Sequence, residues 1–311
     1  MTRRPSRAAL LGLALLLVGC GGEGGTVALD LDKSRPEPIV RSVLGAFAGA
    51  DPFEAGWVEG EGGSLSLRLA ALPPEVRDGL AAAAADGRID WDEWSAWVEA
   101  GYNAATGLPA TLDALRREAA YGGDGWFTVD VSGVMSAARR RVHVPEAELR
   151  AALAAFPERD AIVYPAGTLI VGEHEVDGAI VETTVKRRRA DGFWDFGVYD
   201  ADGRLAPATA TDPRPLRVPT QCTGCHLGQK RYEPEASWPA EARDGPFGPR
   251  AYHVPDAWRR AEPAALFEEH AARDDGVLGL YGTLYTSRLL AARDAGTLAA
   301  EDAELLDALG I

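Results

Sequence analysis

From Thr168 onward the chain runs with a period of two, and turn residues cut it at short intervals. Thr168–Val176, Ala179–Arg187 and Phe193–Tyr199 are extended stretches, separated by Asp177-Gly178 and Ala190-Asp191-Gly192 and closed by Asp202-Gly203. Successive side chains of a strand point to opposite faces. Asp-Gly supplies the positive φ angles that a two-residue hairpin turn needs. The pattern predicts an antiparallel meander. In its last strand Trp194, Phe196 and Val198 share one face, and Phe193, Asp195 and Tyr199 share the other. A sheet with one apolar face must bury that face against other elements, so this stretch excludes an all-helical fold. Ala161–Tyr164, ahead of the Pro165–Gly167 turn, reads as one more strand. With 46% hydrophobic residues in 311, the chain can build a packed core and two modest domains.

Beyond the meander and a proline-rich loop lies Cys222-Thr223-Gly224-Cys225-His226. This pentapeptide is the attachment sequence of haem c. Two thiols separated by two residues reach the two vinyl groups of one porphyrin as thioethers, and the histidine that follows sits under the iron as its proximal ligand. A disulfide between Cys222 and Cys225 is an alternative, but it gives His226 no role. A zinc site is another, and needs a fourth ligand such as His253.

The start of the chain accounts for the remaining cysteine. Arg3, Arg4 and Arg7 precede an apolar run, Ala8–Val18, that is short for a membrane span. The run ends in Leu17-Val18-Gly19-Cys20, which resembles a bacterial lipobox, in which the cysteine becomes a lipidated N-terminus. The expectation is a lipoprotein signal peptide over 1–19, lipid on Cys20 and a flexible tether over 20–35. Gly21 is not the aspartate that retains such proteins at the inner membrane. Anchoring is therefore expected at the outer membrane or its periplasmic face, with the cell surface as a further location. Export places maturation outside the reducing cytosol. Loss of Arg3, Arg4 and Arg7 takes the formal charge from −15 to −18. So acidic a chain repels phosphate backbones, which argues against nucleic acid, and it steers basic protein partners.

Residues 36–120 read as mostly helical, with one short strand at Leu65, Leu67 and Leu69. In DGRIDWDEWSAWV, Asp90 and Glu93 have capping-box spacing. Trp91, Trp94, Trp97 and Val98 then fall on one helical face, expected to be core or a seam between units. The segment also resembles the second half of an EF-hand loop. The first and third ligand positions fall on Ala82 and Ala84, so calcium binding is not expected. Pro145 starts a helix with Glu146 and Glu148 in its first turn. Helices are expected near 262–273, near 287–295 and after Glu301. The basic run 186–189 reads as a solvated, edge-protecting strand end. Its alternative is a docking patch for an acidic partner or an anionic group such as a propionate.

The stretch from about 150 to 230 resembles the cytochrome P460 family, which includes the cytochrome c′-beta proteins. The resemblance rests on Tyr164-Pro165-Ala166-Gly167-Thr168-Leu169-Ile170-Val171, then Glu173, then Val185-Lys186-Arg187, Phe193-Trp194-Asp195-Phe196 and the pentapeptide. It covers about a third of the chain. It implies a mainly antiparallel β domain holding haem c, with Glu173 as a polar group near the haem and Trp194 and Phe196 lining its pocket. The P460 enzymes cross-link a lysine to the porphyrin. Gly172 stands at that position here and Lys186 does not match it, so ordinary haem c is expected rather than hydroxylamine oxidation. The c′-beta branch binds small gases such as nitric oxide at a five-coordinate iron.

These readings combine into an α+β chain. Residues 36–120 are a helical, degenerate EF-hand-like region, 121–235 a P460-like haem c domain and 236–311 a helical extension. The expected activity is binding or redox conversion of a small ligand, nitric oxide or similar, at an open iron. An electron-transfer cytochrome with a redox partner protein is the alternative, with Met135, His143, His174 or His253 as sixth ligand. A surface protein with structural haem is a third reading.

Overall fold

The computed structural model describes residues 25–61, 63–132, 138–210, 215–227, 243–245, 248–273 and 276–311. The lipobox, Cys20 and Met135 lie outside the described residues. The fold is α+β, as expected, with two sheets and ten α-helices among the described residues.

The N-terminal unit adds a small sheet to the expected helices. Its strands β1 (Thr26–Asp30), β2 (Val58–Glu61), β3 (Ser64–Arg68) and β4 (Arg88–Asp90) form a sheet in the order β2-β3-β1-β4. β1 runs antiparallel to β3 and parallel to β4. The tether is therefore shorter than the 20–35 read from the sequence. Val27 and Leu29 alternate inward from β1, and five residues beside a Gly-rich run are too short a pattern to separate from a linker. Helices α1 (Pro36–Ala48), α2 (Pro74–Ala83) and α3 (Trp91–Ala105) close the unit, with Ile39, Leu44, Leu67, Leu80, Ile89 and Trp94 in its core.

The α2–β4–α3 segment keeps the helix–loop–helix form of an EF-hand. Its carboxylates serve the chain itself. Asp86 accepts from the Arg88 amide, Asp90 accepts from the amides of Asp92 and Glu93, and Glu93 accepts from the Asp90 amide. That reciprocal pair completes the capping box. Asp90→Ala should cost about 1 kcal/mol of stability, measured by urea unfolding. An unchanged midpoint would mean that α3 is held by packing alone.

The larger sheet is antiparallel throughout, in the order β10-β9-β8-β7-β6-β5-β12-β11. Its strands are β5 (Trp126–Ser132), β6 (Arg139–Pro145), β7 (Leu169–Val176), β8 (Ala179–Arg188), β9 (Trp194–Asp200), β10 (Leu205–Ala206), β11 (Arg243–Gly245) and β12 (Gly248–His253). The expected meander is β7-β8-β9. Asp177 and Gly178 turn between β7 and β8 at φ 52° and 81°, the two positive angles that select Asp-Gly there. Ala161–Tyr164 is not a strand. Ile162 and Tyr164 are nonetheless buried in the core. Strand β12 pairs with β5, so the sheet runs past the 235/236 boundary drawn from composition. Its hairpin with β11 sits in a Gly- and Pro-rich stretch that reads as loop.

The register gives the sheet two faces. Phe127, Val129, Val142, Ile170, Phe196 and Val198 share the front. The back carries Leu169, Val171, Val185 and Tyr199. These pack on Leu108 and on Leu112 and Leu115 of α4 (Leu112–Ala119). The front is covered at one end by α5 (Glu146–Ala154), α9 (Gly276–Asp294) and α10 (Ala300–Leu309). There Phe127 meets Tyr285 edge-on at 5.4 Å. The short α6 (Phe156–Arg159) and α8 (Ala261–Arg273) pack beside them through Phe156 and Phe267, 4.9 Å apart. At the β9 end the front meets the N-terminal unit. The Phe196 amide donates to the Tyr102 hydroxyl of α3 at 3.0 Å, and Arg189 donates to the Ser42 carbonyl of α1 at 2.9 Å. Among the described residues, no helix is long and apolar enough to cross a membrane.

Candidate haem-attachment site

Thr220–His226 forms a short helix, α7, that holds the whole pentapeptide. Thr220 donates its hydroxyl to Glu99 of α3, and Thr223 donates back to the Pro219 carbonyl at 3.2 Å. Arg217 reaches the same Glu99 at 3.5 Å. These bonds pin α7 to α3. Gly224 lies against Trp91, where a Cβ would stand 3.6 Å from the indole. The Lys33 ammonium covers that ring at 3.8 Å. The tryptophan set is thus divided. Trp94 is fully buried, Trp97 stacks on Phe47 at 4.7 Å, and Trp91 forms the seam with α7.

Cys222 and His226 are four residues apart in a helix and so share a face. Cys222 is half-buried and packs against the core. The His226 ring stacks on Phe196 of β9, 5.4 Å between centroids and 30° between planes. The motif therefore rests on the apolar front of the sheet. Beside it, burial and then the nearby Asp195 hold the Tyr102 phenol protonated, well above its ordinary range. Burial likewise raises the Asp195 carboxyl against the pull of Arg189, 3.0 Å away.

Of the residues singled out from the sequence, Trp194 and Phe196 lie on the front, each 4% exposed. Tyr164 meets Trp194 edge-on at 5.9 Å. Glu173 faces the back. It accepts from Arg116 at 3.4 Å and lies 3.3 Å from His143 Nε2, whose Nδ1 is 2.9 Å from Thr128 Oγ1. That places Glu173 across the sheet from the Phe196–His226 stack, because one step along a strand reverses the face.

His174 is the histidine that shares the front. Its Nε2 is 3.2 Å from Thr184 Oγ1 and its Nδ1 is 3.2 Å from Glu182 Oε1. Burial, and then the charge of Arg140, push His174 from 6.5 down to about 3. The Glu182 carboxylate also accepts from the Ala210 amide. His253 is exposed at the end of β12.

The basic run is not an edge. β8 lies between β7 and β9, so its members alternate between faces. Lys186 and Arg188 face the front, where the Lys186 Nζ is 5.9 Å from the Phe196 ring centroid. Arg187 takes the back with Glu118 at 3.4 Å. Tyr102, Glu182 and Arg140 complete the front-face surroundings. None of them stood out in the sequence, because each depends on strand order or on a second unit. The one available signal was the alternation of Arg140 with Val142 and Val144.

Two pH windows separate the adjacent His174 and Glu173. The unfolded chain protonates His174 as pH falls through 6.5, while the folded site resists down to about 3. Stability should therefore decline from pH 6.5 downward. His143, and then Arg116, lower the Glu173 carboxyl below 4.5; Arg141 is its cross-strand neighbour. Its contribution is present above 4.5 and is lost below that pH. His174→Gln should flatten the stability profile between pH 6.5 and 4.5, and Glu173→Gln only below it. Coincident profiles in a pH series of urea melts would contradict both assignments.

Among the described residues, no group of three or more His, Cys, Asp or Glu is arranged to hold a metal ion. Haem iron needs a single ligand from the pentapeptide. A half-buried thiol, an imidazole on the same helical face and an apolar sheet beneath fit such a group. No family model matches the chain, and no curated protein or solved structure matches it.

Proposed function

We propose that this chain is a haem c protein whose iron binds a small ligand at an open sixth position. The observation that carries the reading is the complete pentapeptide on one short helix, with His226 stacked on Phe196 at the front of an antiparallel sheet. Cys222 and Cys225 would hold the porphyrin as thioethers and His226 would ligate the iron. The haem supplies an iron that cycles between ferric and ferrous and coordinates gases such as nitric oxide. The protein's own residues do the rest. Phe196 backs the imidazole, Trp91 and Glu99 fix α7, and Trp194 with Tyr164 keeps water from the apolar front.

The open position is supported by the histidines. His143 lies on the back of the sheet between Thr128 Oγ1 and Glu173, and the His174 Nε2 is taken up by Thr184 Oγ1. The haem domain is of P460 type in this reading. Gly172 replaces the cross-linking lysine, and Thr184 Oγ1 occupies the space a side chain there would need, 2.8 Å from its Cβ position. Lipid on Cys20 tethers the protein to the outer membrane, and a charge of −18 after processing, from loss of Arg3, Arg4 and Arg7, favours a basic redox partner.

The test is the visible spectrum of the soluble form, made in a host that matures haem c. The expected result is haem that survives denaturation, a high-spin ferric spectrum and a ferrous spectrum shifted by carbon monoxide. Protein without covalent haem would overturn the reading. Covalent haem indifferent to carbon monoxide would replace ligand binding with electron transfer.

A further inference from the structure

The geometry points to a second reactive site on the back of the large sheet, in which Thr128 is a nucleophile toward carboxylic esters, His143 its base and Glu173 the group that orients the base. The site lies across the sheet from the Phe196–His226 stack and does not rest on the haem c reading.

The register builds it. Strands β5, β6 and β7 are neighbours in the sheet. Thr128 of β5 stands directly opposite His143 of β6, and Glu173 of β7 is two residues beyond Val171, the partner of His143. Opposite and diagonal side chains on one face of a sheet lie within reach of each other. Thr128 Oγ1 is 2.9 Å from His143 Nδ1, and His143 Nε2 is 3.3 Å from Glu173 Oε2. A hydroxyl, an imidazole and a carboxylate bonded in that order activate a nucleophile on unrelated folds.

The surroundings set the direction of proton flow. His143, and then Arg116, hold Glu173 ionised, below the ordinary carboxylate range. An ionised Glu173 accepts from Nε2–H, which fixes the tautomer and leaves the Nδ1 lone pair to accept the Thr128 proton. Arg116 reaches the other carboxylate oxygen at 3.4 Å and donates to the Tyr121 hydroxyl at 3.0 Å. The Tyr121 ring lies 5.5 Å from the imidazole. Gly122, at φ 83°, closes on that ring, and a Cβ there would stand 3.3 Å from Cε1. The imidazole is therefore buried and held, while Thr128 is only half-buried. Beside this chain opens a cleft lined by Asp130, Arg139, Arg141, Glu173, Glu175 and Ile180. Arg141, the cross-strand neighbour of Glu173, is anchored to Asp130 at 3.2 Å. Its guanidinium supplies the charge that an oxyanion needs. Ile180, 42% exposed, gives the cleft an apolar wall for a short acyl chain.

Thr128 Oγ1 adds to the ester carbonyl carbon as its proton passes to His143 Nδ1. The bond to the leaving oxygen breaks, and that oxygen takes the proton and departs as the alcohol. Water then adds to the acyl-threonine and gives a proton to the same nitrogen. The acid leaves as His143 returns that proton to Thr128. Ester and water become acid and alcohol, with no oxidant or reductant.

The experiment gives the soluble form of the protein 4-methylumbelliferyl acetate, follows the released fluorophore and maps acetyl adducts by mass spectrometry after an acid quench. The expected result is an acetyl group on Thr128. Thr128→Ala and His143→Gln should lower kcat/KM about a hundredfold or more, and Thr128→Ser should keep it. Glu173→Gln should lower kcat and leave KM unchanged. Acetyl adducts confined to lysines would overturn the inference, and so would wild-type turnover in Thr128→Ala. Should a variant fail to fold, the adduct map of the wild type decides the matter. The readout is independent of the haem spectrum, so either reading can fail alone.

Discussion

Replacing Cys222 and Cys225 together with alanine is expected to remove covalent haem altogether, read as loss of the haem-stained band on a denaturing gel. In the proposed reading the two thiols are the attachment atoms, and without them only packing would hold the porphyrin. The fold itself should survive. Cys222 is half-buried at the edge of the core, and α7 is pinned by Glu99 bonds that the substitution leaves in place. His226→Gly separates ligation from attachment. The thioethers should remain, the Soret band should shift, and added imidazole should bring it back. A haem-stained band persisting in the double alanine variant would show that the pentapeptide is not the attachment point.

Phe196→Ala carries the second large effect, because that side chain serves both the core and the candidate site. It is 4% exposed, with the Lys186 ammonium 5.9 Å and the His226 ring 5.4 Å from its ring centroid. Truncating a buried phenylalanine typically costs about 3–5 kcal/mol, measured by urea unfolding. Trp94→Ala is the control of similar cost, since Trp94 is fully buried in the N-terminal unit. Trp94→Ala should leave the haem spectrum of the folded protein unchanged. Phe196→Ala should alter it, because the imidazole loses the surface that fixes its plane. Identical spectra in the two variants would reduce Phe196 to core filling.

Local pattern carried much of this reading. The Asp177-Gly178 turn, the strands on either side of it and the faces of Trp194 and Phe196 follow from period and turn chemistry alone. The Asp90–Glu93 capping box follows in the same way, because both partners lie within one helical turn. The helices near the C-terminus were legible from apolar spacing, although α9 begins at Gly276, eleven residues ahead of the 287 expected. Gly282 packs closely against Ile162, Leu153 and Phe267, and that burial offsets its poor helix propensity.

Other features were not legible because their cause lies elsewhere in the chain. Thr26–Asp30 is a strand because Leu65, Leu67 and Ile89 arrive from later segments to pair with it. Lys186 is taken out of solvent because β9 joins the edge that a basic run would otherwise protect. Glu173 stands in a stretch that resembles a haem domain, yet its pairing with His143 and Arg116 assigns it to the back of the sheet. By itself, then, the sequence determined the Cys222–His226 pentapeptide, the meander and the acidic charge, since bonding groups and periodicity are local properties. Only the tertiary structure decided which face each strand residue serves and what lies beside His226, because strand order and the docking of the N-terminal unit are set by burial between distant segments.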